Sequence, residues 1–156
     1  MPDDLVNPTT QFESAVPFSG PDFLILKAHL VIERRLLEYI QCRVSPALFQ
    51  EIERPRDGSF HVRLLIARAL SEQDPPEGND GIAEIWKALD LLGRLRNEVA
   101  HTLESTGTAL QDRMRVFIEL VNRVHPFPEE KVLPSELHRR FRDSAAYLNA
   151  LLSTHA

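Results

Sequence analysis

Three residue types able to handle a phosphate and its protons fall within one short run, Arg96-Asn97-Glu98-Val99-Ala100-His101. A guanidinium matches phosphate oxygens in charge and geometry and keeps its charge at physiological pH. An imidazole titrates near neutrality, so it can take a proton from one oxygen or give one to another. Together they suit attack of a ribose 2′-hydroxyl on the adjacent phosphate. That reaction needs a base for the hydroxyl, an acid for the leaving oxygen and a cation beside the phosphorane. The other histidines, His29, His61, His125, His138 and His155, are scattered, and no cluster with carboxylates or the single Cys42 has ligand spacing. No metal site and no cofactor are expected.

The run closes a segment that reads as a helix from Ile82 to His101. Ile85, Ala88, Leu89, Leu92, Leu95 and Val99 recur at the spacings of a core-facing stripe. Glu84, Lys87, Asp90, Arg94, Glu98 and His101 fall on the other side. Arg96 is the exception, four residues after Leu92 and so on the core side. A guanidinium there requires a partner. From Asp22 to Cys42 a second helix carries Leu26, Leu30, Leu36, Leu37 and Ile40 on one stripe, with His29 and Glu33 inside it. The spacing therefore predicts a Glu33–Arg96 pair, inside the bundle or where it opens to a partner. Such a pair can serve the chemistry, set helix register, or both. His29 on an apolar face also fits a satisfied core histidine.

Arg96-Asn97-Glu98-Val99-Ala100-His101 resembles the Arg-x4-His motif of the HEPN family, with a polar residue directly after the arginine. Leu26-Lys27-Ala28-His29-Leu30-Val31-Ile32-Glu33 resembles the first helix of such domains. The resemblance spans Asp22 to the C-terminus, and the motif is its specific part. It implies Arg96 and His101 as catalytic and Asn97 as the residue that orients the histidine; Glu33 and His29, placed by the helix spacing above, are taken as supporting residues. It also implies a homodimer whose paired motifs line a cleft. Geometry agrees on that point. Five helical residues turn the chain by roughly 500°, so Arg96 and His101 point about 140° apart, whereas Asn97 and His101 share a face. Either the helix ends before His101 or a second copy completes the constellation.

The expected function is thus a metal-independent endoribonuclease of HEPN type, toxin-like or defence-associated, with RNA and an antitoxin-like protein as partners. The alternative is a non-catalytic HEPN-like dimeric module that binds a protein or senses RNA. HEPN toxins silenced by nucleotidyl transfer carry a tyrosine two residues after the motif histidine. Leu103 stands there in this chain, which argues against that form of neutralisation.

Composition sets the outer bounds. A chain of 156 residues with 43% hydrophobic and 26% charged residues is expected to form one globular domain with a real core. A net charge of −5 argues against a general electrostatic grip on nucleic acid and leaves room for a local basic site. The lone Cys42 cannot form an internal disulfide, and its position suggests an inert residue near a helix end. No apolar run approaches a membrane span, and the start Met-Pro-Asp-Asp is unlike a signal peptide. A cytoplasmic protein with no membrane partner is expected.

In chain order, residues 1–20 carry prolines at 2, 8 and 17 and read as a mobile arm, with residues 21–154 as the domain. Pro21 and Pro46 suit first turns of helices, with Ser19 and Ser45 as caps, and the second of these is a short helix over Ala47 to Glu53. Ser59 caps a helix over Phe60 to Ser71, with Phe60, Leu64, Ala67 and Leu70, or Leu65 and Ile66, inside. Residues 74–81 read as a loop. A further helix runs from Ala109 to Val124 with Leu110, Met114, Phe117, Val121 and Val124 inward. Pro134-Ser135-Glu136 opens the last helix, where Leu137, Phe141, Leu148 and Leu151 face the core. Trp86 is expected beside the Leu89 stripe, and Arg139, Arg140 and Arg142 on a solvated face. The predicted architecture is all-α, an up-and-down bundle of about four or five helices.

Overall fold

A computed structural model describes residues 20–54, 59–73, 81–101, 108–125 and 134–154. The described residues are all-helical. We label the helices α1 (Pro21–Gln41), α2 (Pro46–Glu53), α3 (Phe60–Gln73), α4 (Ile82–His101), α5 (Thr108–Val124) and α6 (Leu137–Thr154), with a 3-10 turn over Pro134–Glu136. That is six helices where four or five were expected. The short α2, eight residues long, is the helix expected over Ala47 to Glu53, and it is separately capped as expected: Ser45 Oγ accepts from the Leu48 N–H at 3.4 Å, and Pro46 opens it. Ser59 accepts from the Val62 N–H in the same way at the start of α3. The expected Ser19 cap and the arm over residues 1–20 lie, but for Gly20, outside the described residues. The same holds for Leu103 and the loop at residues 74–80.

Four helices form a closed ring. α1 packs on α4 and α6, α5 packs on α4 and α6, and the apolar stripes meet in the middle. Leu92, Leu95, Met114, Phe117, Phe141 and Leu148 are fully enclosed. The Phe117 and Phe141 ring centroids lie 4.7 Å apart, with the planes tilted by 38°. Trp86 is buried in the same core. α3 lies outside the ring against α1 and α4, and α2 folds back on α1.

Two expectations change. On α1 the buried residues are Leu24, Ile25, Ala28, His29, Ile32, Leu36, Tyr39 and Ile40; Leu36, Ile40 and His29 are inside as expected, whereas Leu26 and Leu37 are half-buried and Leu30 is 62% exposed. α1 is apolar around much of its circumference and packs against four neighbours, α2, α3, α4 and α6, so periodicity identified the helix but only part of its buried face. On α6 only Arg139 is solvated, bonded to Glu136 at 2.7 Å. Arg140 is buried and Arg142 is half-buried, with its Nη2 3.9 Å from Asp143 Oδ1. No helix among the described residues is long and apolar enough to cross a membrane.

Candidate functional site

α4 runs unbroken through His101, so the motif does not fold back on itself. Asp90, the adjacent Gly93 and Arg94, and Asn97 lie three to four residues from one another along one face, one turn to the next, and all line a cleft of about 530 Å³ between α4, α1 and the start of α3. His101 continues that row one turn beyond Asn97. It is exposed and lies outside the cleft lining. An ion pair between Glu98 and Arg113 ties the last turn of α4 to α5 and so holds the motif end in place.

Arg96 is exposed, not buried as its spacing suggested. It stands at the edge of the apolar stripe, where the ring opens into the cleft, and its long stem carries the guanidinium to water. Its Nη1 donates to Asn97 Oδ1 at 3.1 Å. Among the described residues no carboxylate lies within 4.0 Å of it.

The predicted Glu33–Arg96 pair is replaced by Glu33–Arg63. Arg63 Nη1 donates to Glu33 Oε1 at 2.7 Å, and its Nη2 reaches the Glu53 carbonyl at 3.3 Å. Arg63 is only 8% exposed. The sequence held a sign of this: Arg63 interrupts the row Phe60, Ala67, Leu70 just as Glu33 interrupts α1. With two buried-side arginines available, spacing alone could not choose between them; the approach of α3 to α1 does.

His29 lies at the cleft floor, 4% exposed. Its ring contacts Phe60 at 4.3 Å, and Phe60 in turn rests on Gly93. A Cβ at Gly93 would come within 2.7 Å of the Phe60 ring, so glycine is what lets α3 approach α4 here. Burial, and secondarily the Arg96 charge, hold the His29 imidazole down to about 4. It is therefore neutral at pH 7 and acts as a packed polar group. Phe60, Arg63 and Gly93 are site residues that motif reasoning missed. At the rim, Arg94 Nη2 meets Asp90 Oδ2 at 2.8 Å and His61 Nδ1 lies 3.5 Å from Asp90 Oδ1.

The His29 environment predicts a pH effect. The unfolded chain takes up this proton near pH 6.5, the folded one only near 4. Stability is then full above pH 6.5 and declines as pH falls towards 4. Urea unfolding at pH 7.5 and 4.5 is expected to lose roughly 2–3 kcal/mol through this group. His29→Gln should remove that part of the pH difference. An NMR titration placing the His29 midpoint above 6 would contradict it.

Chemically, the arrangement offers a guanidinium with no carboxylate partner among the described residues, bonded to an amide on the lining of an open cleft of mixed polarity, with an exposed imidazole one turn beyond the amide. Among the described residues no group of three or more His, Cys, Asp or Glu could hold a metal ion. In comparisons with known proteins, no family model, no curated protein and no solved structure matches this chain.

Proposed function

We propose that the chain is a metal-independent endoribonuclease of HEPN type that acts as a homodimer on single-stranded RNA. The observation that carries this reading is Arg96: an exposed arginine free of carboxylate partners among the described residues, bonded to Asn97 at 3.1 Å, with His101 exposed on the next turn of the Asn97 face. A structural arginine would be neutralised, as Arg63 is by Glu33.

In this mechanism the 2′-oxygen attacks phosphorus and the P–O5′ bond breaks. One histidine removes the 2′-hydroxyl proton and another protonates the departing 5′-oxygen. Products are a 2′,3′-cyclic phosphate and a 5′-hydroxyl, with no net gain or loss of electrons. Arg96 holds the extra negative charge of the phosphorane. Asn97 Oδ1 directs the guanidinium. The continuous helix points Arg96 and His101 about 140° apart, so a two-fold mate supplies the second histidine across the cleft.

A second reading, a dimeric interaction or RNA-sensing module, draws support from Glu33 and Asp90 in the cleft and from His101 lying outside its lining. Incubating the purified chain with 3′-labelled and 5′-labelled single-stranded RNA separates the two. Cyclic-phosphate ends that persist in excess EDTA are expected, together with a dimer at micromolar concentration by sedimentation. Intact RNA, or a monomer that cuts, would count against the dimeric nuclease.

A further inference from the structure

The cleft beside Arg96 holds more than a phosphate needs. We propose that it seats a guanine base, that of a nucleotide adjoining the scissile phosphate; this rests on the ribonuclease reading above. Its volume, about 530 Å³, falls in the ~300–1,000 Å³ range of pockets that enclose small molecules. Its floor is aromatic: Phe60, half-buried, backed by His29 at 4.3 Å and braced on Gly93. Single-stranded RNA is recognised by splaying a base onto such a ring and reading its polar edge.

The edge chemistry selects the base. Glu33 is anchored by Arg63 through Oε1, and its Oε2 has no protein hydrogen bond among the described residues. A carboxylate accepts two parallel N–H bonds from guanine, N1–H and the N2 amino group. Cytosine and adenine offer it one amino group beside an unprotonated ring nitrogen. Uracil turns carbonyl oxygens towards it on either side of a single N–H. Asn97 commits Oδ1 to Arg96, which leaves its amide N–H groups as donors for a base carbonyl or ring nitrogen. The phosphate of the same nucleotide then meets Arg96 at the cleft edge. One ligand thus uses the ring, the acid, the amide and the cation together.

The test varies the ligand, so protein folding is not at issue. The full chain, isotope-labelled, is titrated separately with GMP, IMP, AMP, CMP and UMP, following the Gly93 amide and the His29 and His61 ring signals. GMP is expected to bind roughly tenfold or more tightly than UMP, as a bidentate contact discriminates. IMP, which lacks only the N2 amino group, should lose most of that advantage. In parallel, RNAs with one guanosine in a uridine background should be cut beside it, and less so when inosine replaces it. Equal binding of GMP, IMP and UMP, or shifts that avoid the cleft, would overturn the guanine seat. RNA cut without base preference would overturn it too while leaving the nuclease intact. Guanine-selective binding by a dimer that leaves every RNA whole would support the seat and remove the nuclease.

Discussion

His101→Ala is expected to slow RNA cleavage by about 10²–10⁴-fold, the usual cost of losing a positioned proton-transfer group. Arg96→Ala should lower the rate by about 10²–10³-fold, as expected for loss of one group that stabilises developing charge. Both side chains are exposed, so neither change opens a cavity, and the chain should remain folded. Arg96→Lys should recover little, because a point charge does not reproduce the planar fork that bonds Asn97 and phosphate together. Asn97→Ala should cost less than either, since it releases the guanidinium without removing it. Mixing His101→Ala with Arg96→Ala subunits gives a sharper readout. If the cleft is shared across a two-fold, heterodimers should regain part of the activity. His101→Ala cutting as fast as wild type would leave the interaction module as the better account.

The second large effect concerns stability. Glu33→Ala removes the carboxylate that meets the 8%-exposed Arg63, leaving a cation with only the Glu53 carbonyl. Breaking one side of a buried pair is worth roughly 3–5 kcal/mol, and the partial exposure of Glu33 argues for about 3. Urea denaturation should show this loss with an unchanged slope. A double change, Glu33→Leu with Arg63→Met, should recover most of it, because the desolvation cost disappears together with the attraction. If Glu33→Ala were as stable as wild type, the pair would be an exposed contact of little consequence.

Helix identity was legible in the chain because it depends on local patterns. Prolines at 21 and 46 and serines at 45 and 59 mark starts, and the Leu92 and Phe117 stripes mark inward faces. The relative directions of Arg96, Asn97 and His101 were legible for the same reason: they lie on one continuous helix whose period determines them. Only the tertiary structure decided which side of α1 is buried, since Leu30 and Ile32 are equally apolar and the choice rests on where α3, α4 and α6 approach. It also decided the partner of Glu33. Two arginines on two helices fit one carboxylate equally well by spacing, and the distance that selects Arg63 is set by the packing of Phe60 on Gly93. A buried charge must find some partner, which sequence can state, but which partner is a matter of helix docking.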